Sequence, residues 1–368
     1  MGYDAIIIGD GIAGLGAALG LARYRKKILV IGKQGLRGAS TPRAAGILDP
    51  FLEMNARSPL FTIARAAFRL YPAWLRGLGI SQEAAGYKKT GMLYIAMNRE
   101  EASDLRRRFQ WQKKSGIAVR WLDATRILKR EPAVSRRLRG GLFYPSIPRV
   151  QPEKLMKVLT RVARKKGIRI VKTKSSARLA LSRNRVTGVK LGRHFLKSNV
   201  VVQAAGAWEG LRQNSRIRLP VKPVRGQILI VKKGKLKIST ILHSMDGGYI
   251  VPWDRDTLLL GSTVEFAGFN PRVTSGGLQS IGRKTQKIAS CLKGVKVVKT
   301  WAGLRPFPKD RLPIIGPASI QGLYLAGGYY RSGILIGGLA GELLAKAIVS
   351  CKIPLVLRPF SVTRFKNL

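Results

Sequence analysis

Six residues near the start of the chain have the types and spacing needed to bind a dinucleotide pyrophosphate. They read Gly9-Asp10-Gly11-Ile12-Ala13-Gly14. Gly9 permits a tight turn, Gly11 lets the backbone approach a phosphate, and Gly14 lets the following helix pack closely on the preceding strand. The N-terminus of that helix presents unpaired backbone N–H groups to the negative charge. The predicted strand–loop–helix context favours a dinucleotide site over a structural glycine turn.

The adenosine ribose of such a cofactor normally binds an acid about twenty residues further on, at the end of the second strand. Here that strand end reads Ile31-Gly32-Lys33, so the carboxylate is missing. A base at this place suits the 2′-phosphate of NADP, whereas FAD tolerates the gap because many other contacts hold the larger cofactor. Gly32→Glu is therefore expected to tighten FAD binding if the strand end accepts the side chain.

The composition disfavours histidine, metal and disulfide chemistry. The chain has two histidines, His194 and His243, which we interpret as ordinary surface or core residues, and we predict no metal site. Its two cysteines, Cys291 and Cys351, make neither a disulfide framework nor a C-x-x-C pair. This cysteine usage fits a reducing, cytoplasmic compartment.

An ordinary globular composition is combined with a strongly skewed charge. The 368 residues include 68 Lys and Arg against 18 Asp and Glu, a formal net charge of +50. Charged residues nevertheless make up 23% and apolar residues 45%, enough to build a core, which argues against a disordered chain. The length predicts one large domain or two coupled ones.

The elements that must position the glycine motif form β-α-β units at both ends of the chain. A strand at Tyr3–Ile8, a helix to Tyr24 and a strand at Ile28–Ile31 surround the motif. The last unit is a strand at Leu323–Leu325, a glycine-rich loop and a helix from Ile334 that we expect to be buried. The apolar start of the chain is predicted to be part of the fold, since its many glycines suit a tight loop better than a membrane span.

The middle of the chain mixes helices and strands. Helices are predicted at Arg99–Lys114 and Glu153–Lys166, and strands at Met92–Met97, Ile168–Val171, Val186–Leu191 and Val200–Gln203, with a separate antiparallel sheet from Ile228–Val231, Gly248–Pro252 and Thr257–Gly261. We therefore predict an α/β fold, α+β overall. A discontinuous Rossmann-like domain comprises residues 1–86, 146–222 and 303–368, and an inserted, mainly antiparallel β-sheet substrate-binding domain comprises residues 87–145 and 223–302.

A series of further motifs spans nearly the whole chain. They are Gly9–Gly14, Ala44–Pro50, Trp121–Ala124 with Glu131–Ala133, Ala204–Trp208, Pro223–Gln227, Gly248–Pro252, Gly261–Glu265, Trp301–Pro306, Leu312–Gly316 and Gly328–Ile334. In this order and spacing they resemble the FAD-dependent amino-acid oxidase family, most closely its glycine oxidase branch in thiamine biosynthesis. The resemblance implies that the Rossmann-like domain is an FAD-binding domain.

The resemblance also implies oxidative deamination of glycine or another small amino acid or amine. A hydride passes from Cα to flavin N5, the imine hydrolyses to an oxo acid and ammonia, and O2 is the implied acceptor, giving H2O2. Arg305 is implied to bind the substrate carboxylate, assisted by Tyr249 and Arg331. Hydride transfer from a neutral amine needs no protein acid or base, in keeping with the scarcity of histidine.

Non-covalent FAD is implied, because relatives that attach flavin covalently use a Cys near the Trp301–Pro306 motif, where this chain has Ala302. The helix N-terminus within Gly327–Gly338 is expected to face the flavin pyrimidine ring and stabilise its reduced form. Departures at Tyr329, often His in relatives, and Ile47, often Met, leave the substrate size open. The residues assigned to FAD are Gly9, Gly11, Ile12, Ala13, Gly14, Gly32, Lys33, Ala44, Ala45, Gly46, Ser176, Ala205, Gly206, Trp208, Arg305, Tyr330, Arg331, Ser332, Gly333 and Ile334.

The basic residues are dispersed along the chain, which favours a solvated surface over a dedicated nucleic-acid site. Their clusters are Arg23–Lys27, Arg106–Arg108, Arg136–Arg139, Arg161–Lys166 and Lys232–Lys237. Such a surface is expected to attract RNA or anionic membranes nonspecifically, including the inner membrane surface. Whether the chain forms a homo-oligomer stays an open question. Three alternative functions also stay open: an FAD enzyme acting on a modified tRNA base, a D-amino-acid dehydrogenase using a quinone, and a basic binding protein without activity.

Overall fold

The computed structural model describes residues 2–51, 56–210 and 219–365. Its helices are α1 (Ile12–Ala22), α2 (Ser40–Arg43), α3 (Pro59–Gly77), α4 (Arg99–Lys114), α5 (Ala124–Arg130), α6 (Pro152–Lys165), α7 (Ser275–Ile288) and α8 (Gly333–Ser350). Its strands are β1 (Ala5–Ile8), β2 (Ile28–Lys33), β3 (Lys88–Lys89), β4 (Met92–Ala96), β5 (Arg120–Leu122), β6 (Gly140–Tyr144), β7 (Pro148–Arg149), β8 (Arg169–Thr173), β9 (Ala177–Ser182), β10 (Arg185–Leu191), β11 (His194–Lys197), β12 (Val201–Gln203), β13 (Val221–Lys232), β14 (Ile241–Ser244), β15 (Tyr249–Pro252), β16 (Thr257–Gly261), β17 (Val297–Pro308), β18 (Ile314–Pro317) and β19 (Leu323–Gly327).

A six-stranded sheet carries the glycine motif. Its order is β18-β19-β12-β1-β2-β8, with β1, β2, β8, β12 and β19 parallel and β18 antiparallel to β19. The predicted β-α-β unit around the motif is confirmed. The carboxyl ends of β1, β12 and β19 lie side by side, and this edge is where parallel sheets bind ligands.

The two most apolar helices, α1 and α8, pack closely against each other. A Cβ atom at Gly16 of α1 would overlap the carbonyl oxygen of Gly337 in α8, so glycine permits this approach. Helix α8 is long and apolar enough to cross a membrane, yet 56% of it is buried inside the protein. The prediction of a buried C-terminal helix is confirmed.

The second large sheet has eight strands in the order β17-β13-β16-β15-β14-β4-β6-β5. All its pairs are antiparallel except β4 with β14. It confirms the mainly antiparallel sheet predicted from the sequence, and two small sheets, β9-β10-β11 and β3-β7, complete the fold. Most of its strands come from the predicted substrate-binding segments, although β13 begins at Val221 and β17 ends at Pro308. The domain boundaries stay a prediction.

Helix α4 matches its predicted range because its ends carry strong local signals. The Asn98 side chain accepts a hydrogen bond from the Glu101 backbone N–H at 2.8 Å, which caps the first turn. Acidic residues occupy that turn, and Lys113 and Lys114 occupy the last one. Both charge placements interact favourably with the helix dipole and therefore stabilise α4.

Candidate active site

One cavity of about 680 Å³ is lined both by the carboxyl edge of the six-stranded sheet and by the eight-stranded sheet. Gly11, Ile12 and Ala13 line it from the glycine motif. Tyr249 and Arg305 line it from β15 and β17. Some of the residues predicted for the cofactor therefore line the same cavity as Tyr249 and Arg305.

The glycine loop exposes its backbone because side chains are excluded on its other side. Gly9 has φ +121°, and a Cβ atom there would overlap the carbonyl oxygen of Ala204. A Cβ atom at Gly14 would overlap the carbonyl oxygen of Gly9. Neither glycine lines the cavity, so both shape the loop whose next residues do. Backbone N–H groups at the start of a helix such as α1 fit a pyrophosphate.

The segment directly after α2 forms a second wall of the cavity. The predicted residues Ala44, Ala45 and Gly46 belong to this segment and line the cavity. Thr41 also lines it, and its Oγ1 accepts a hydrogen bond from the Ile12 N–H at 3.3 Å, which ties this wall to the glycine loop. Sequence reasoning missed Thr41, since it belongs to none of the motifs.

The loop before α8 forms a third wall. Tyr330 has φ +46°, and its N–H donates to the Pro306 carbonyl at 3.0 Å, which docks the loop on β17. Ser332, Gly333 and Ile334 line the cavity where α8 begins. The N-terminus of α8 therefore lies at the cavity, and its position beside the flavin stays a prediction.

Arg305 is held in a fixed orientation by the loop after β16. Its Nη1 donates to the Thr263 carbonyl at 3.0 Å and its Nη2 to Ser262 Oγ at 2.8 Å. The guanidinium lies against Gly226 of β13, where any Cβ atom would overlap it. A guanidinium oriented in this way is prepared to bind a planar carboxylate.

Tyr249 reaches the same place from β15. Its side chain is buried, and its ring lies so close to Gly261 that a Cβ atom there would overlap the phenol. Ser262, the next residue, contacts Arg305, so Tyr249 and Arg305 meet around residues 261–262. Arg331 also lines the cavity but is exposed, with its guanidinium 5.2 Å from the Tyr330 ring centroid.

His243 is a core residue, as the sequence indicates, and it also lines the cavity, which the sequence does not. Its ring lies between Tyr94 and Tyr249, with centroids at 5.2 and 5.7 Å. Its Nδ1 is 2.8 Å from the Ser244 carbonyl. Burial lowers the pKa of His243 to about 4, so the ring is neutral at physiological pH.

Glu209 is a buried acid behind the cavity that the sequence did not single out. Its Oε1 accepts a hydrogen bond from the Gly206 N–H at 3.2 Å, and its carboxyl group lies against Gly327. Burial raises the pKa of Glu209 well above its usual range, although hydrogen bonds from backbone N–H groups oppose the shift. The Glu209 carboxyl group therefore lies between the ends of β12 and β19, beside Gly206 and Gly327.

Several residues assigned to FAD do not line the cavity: Gly9, Gly14, Gly32, Lys33, Ser176, Ala205 and Trp208. Ser176 is exposed between β8 and β9, and the Trp208 ring packs 5.9 Å from that of Phe269. Their assignment to the cofactor stays a prediction. At Gly32, a Cβ atom would lie 2.5 Å from Asp10 Oδ2, so a side chain at residue 32 requires the Asp10 carboxylate to move.

Comparison with known proteins gives one consistent result. The family model described as FAD dependent oxidoreductase (DAO) matches residues 4–347. Glycine oxidase from Geobacillus kaustophilus is 29% identical over 370 residues, which cover 98% of this chain and 97% of that protein. Its crystal structure matches with a TM-score of 0.91, covering 99% of both chains. The hydrogen cyanide synthase subunit HcnC of Pseudomonas aeruginosa is 28% identical over 404 residues, covering 99% of this chain and 96% of that one.

Proposed function

The chain belongs to the DAO family of FAD-dependent oxidoreductases, and from that premise we propose that it oxidatively deaminates glycine or another small amino acid or amine. It is an enzyme of the class that acts on CH–NH2 donors, with FAD as its cofactor. The observation that carries the proposal is the meeting of Arg305 and Tyr249 in the cavity that the glycine loop also lines. We further propose that FAD is bound non-covalently, since both cysteines are exposed and neither lines this cavity.

Arg305 is proposed to bind the substrate carboxylate, with the Tyr249 hydroxyl as a second donor. The bonds from Arg305 to Thr263 and Ser262 hold the guanidinium in place before substrate arrives, which lowers the entropic cost of orienting Cα. FAD, when bound, accepts the hydride that leaves Cα. The neutral His243 ring adds no positive charge beside the substrate amine.

The cavity supports a small substrate. Ile47, Met92 and His243 line it together with Tyr249, so bulky side chains already fill its walls. Glycine, sarcosine, D-alanine and proline are the compounds to compare. The name glycine oxidase supports O2 as the acceptor, and the name ThiO/ThiG of a second relative supports a role in thiamine biosynthesis. A cytoplasmic location is proposed from the cysteine usage alone.

A second candidate acceptor is a membrane quinone. Val264 lines the cavity with 47% of its surface exposed, and Phe266 two residues on is 69% exposed. Together with the net charge of +50, these apolar side chains favour contact with an anionic membrane. The electrons would then leave through a quinone rather than O2.

The test is a substrate panel on the purified holoprotein, with flavin absorbance followed without oxygen and peroxide measured in air. We expect glycine or another small amino acid to bleach the flavin and air to restore it with peroxide release. Bleaching without peroxide, with turnover only on adding a soluble quinone, would select the second acceptor. No bleaching by any amino acid or amine would overturn the proposal.

Acid precipitation should release the flavin into the supernatant, and colour kept in the pellet would contradict non-covalent binding.

A further inference from the structure

We propose that Asp10, the residue between the first two glycines of the motif, supplies the carboxylate that binds the adenosine ribose of FAD. It does so in place of the acid that is missing at Gly32. The proposal depends on FAD binding, which family membership establishes, and not on the identity of the substrate.

The Asp10 carboxylate occupies the space in which a side chain at residue 32 would begin. A Cβ atom at Gly32 would lie 2.5 Å from Asp10 Oδ2, 2.6 Å from Cγ and 3.0 Å from Oδ1. The glycine loop is joined to this strand end, since the Gly9 N–H donates to the Ile31 carbonyl at 2.8 Å. An acid at 32 and the observed Asp10 position exclude each other, so glycine at 32 makes room for Asp10.

Helix capping does not explain this position of Asp10. Gly11, the N-cap of α1, has no side chain, and the Ile12 N–H at that end donates to Thr41 Oγ1 and not to Asp10. Within the described ranges, the polar contact of Asp10 is an ion pair from Oδ2 to Lys172 Nζ at 3.3 Å. Lys172 is paired with Gly32 in the β2–β8 register, so it stands beside the same strand end.

The electrostatics of this pair suit a ribose subsite next to a pyrophosphate. A carboxylate close to the phosphates is repelled by them unless a cation offsets its charge, and Lys172 provides that cation. The Lys172 side chain is 62% exposed, against 30% for Asp10, so the carboxylate is the more enclosed partner. A carboxylate accepts several hydrogen bonds, so Oδ1 is left to receive a ribose hydroxyl.

The ribose of the dinucleotide fold lies at the end of the second strand. A carboxylate that starts from the glycine loop and ends above Gly32 therefore reaches the same region as an acid that starts from the strand. In this chain the proposed ribose-binding carboxylate is attached to the loop after β1 and not to β2.

The first test needs no variant. Apoprotein is titrated with FAD and with an FAD analogue whose adenosine lacks the 2′-hydroxyl. A hydrogen bond to a charged acceptor corresponds to about a tenfold to hundredfold difference in affinity, and we expect the analogue to bind more weakly by such a factor. Equal affinity for the two compounds would overturn the proposal.

The second test assigns that difference to Asp10. Asp10→Asn replaces the charged acceptor by a neutral amide, so it should weaken FAD binding and should distinguish FAD from the analogue less than the wild type does. The matched control is Glu342→Gln, another ion-paired carboxylate, whose side chain is 33% exposed and which contacts Arg23 at 2.8 Å. It should keep the affinities of the wild type. If Asp10→Asn still discriminates as the wild type does, the ribose is held elsewhere and the proposal fails.

The third test moves the acid back to the strand. Gly32→Glu alone should weaken FAD binding, because it displaces Asp10 and brings two carboxylates together. The double variant Asp10→Gly with Gly32→Glu should recover both affinity and discrimination against the analogue. Tighter FAD binding by Gly32→Glu alone would overturn the proposal, as it would show the strand end to be open. Thermal unfolding of each apoprotein verifies that the variants are folded.

Discussion

The cofactor end and the substrate end of the cavity are built in opposite ways. At the cofactor end, backbone from residues 9–14 is exposed because glycines leave out atoms that would overlap Ala204 and neighbouring carbonyls. At the substrate end, side chains from separate strands, Tyr249 and Arg305, are brought together by sheet pairing. The cofactor end depends on the absence of side-chain atoms, and the substrate end depends on the presence of particular side chains. Adding atoms should therefore damage the cofactor end, and removing side chains should damage the substrate end.

The largest effect is expected from adding one carbon at the cofactor end. In Gly14→Ala the new Cβ overlaps the Gly9 carbonyl, and backbone cannot rotate away as a side chain can. We expect a loss of stability of about 3 kcal/mol or more and no flavin-loaded protein. Flavin content and thermal unfolding measure both effects.

The control is Gly77→Ala at the end of α3, where a Cβ atom has no neighbour within 4 Å. It should leave flavin content unchanged and raise stability by up to about 1 kcal/mol. A Gly14→Ala protein that keeps its flavin and unfolds like the wild type would remove the contrast between the two ends.

At the substrate end, deletion should be the damaging change. Arg305→Ala removes an oriented cation from the cavity. The transition-state stabilisation measured from kcat/KM should fall by about 2–5 kcal/mol, with FAD still bound. Arg331→Ala is the matched control, since Arg331 lines the same cavity from an exposed position. Steady-state kinetics on the best substrate measure both, and a larger loss in Arg331→Ala would move the carboxylate site to that residue.

The same contrast explains what the sequence could predict. The cofactor loop is one contiguous segment whose function follows from glycine spacing and from the strand and helix around it, so β1, α1 and β2 were predictable. Helix α4 was predictable to the residue because Asn98 and the charges at both ends are local signals. Arg305 and Tyr249 had no local signal, and only the resemblance to a family indicated them.

The errors have physical causes as well. Strand β13 extends from Val221 to Lys232, but only its apolar second half was predicted, because Arg225 and Gln227 interrupt the apolar pattern. Both are buried: Arg225 pairs with Glu265, which also accepts from the Gln227 amide at 2.7 Å. The place of His243 in the cavity depends on β14 pairing with β4, a contact across about 150 residues.

His243 gives a pH test that separates the substrate end from the rest of the chain. Its pKa falls from 6.5 to about 4 on folding, so between these values the unfolded state binds the extra proton. The free energy of unfolding should therefore decrease as pH is lowered from about 6.5 to about 4, by up to about 3 kcal/mol from this residue. Urea unfolding at a series of pH values measures the slope.

In His243→Gln this part of the slope should disappear, whereas His194→Gln, on the exposed strand β11, should keep it. An unchanged slope in His243→Gln would mean that folding does not shift the pKa of the ring, which would then be protonated in the folded protein below about pH 6.5. A cation would then stand next to Tyr249 and the substrate amine.

The smallest effect is expected from Tyr249→Phe, which removes one neutral hydroxyl and keeps the ring packed near His243 and Gly261. A neutral hydrogen bond contributes about 0.5–1.5 kcal/mol, so kcat/KM should fall by about 2-fold to 13-fold. The loss should appear mainly in KM and in the Kd of acetate, a carboxylate without an amine, because the hydroxyl is assigned to the carboxylate. Tyr71→Phe is the control, since the Tyr71 hydroxyl is buried without a hydrogen-bond partner and lies outside the cavity. An unchanged acetate Kd in Tyr249→Phe would leave Arg305 to bind the carboxylate without this hydroxyl.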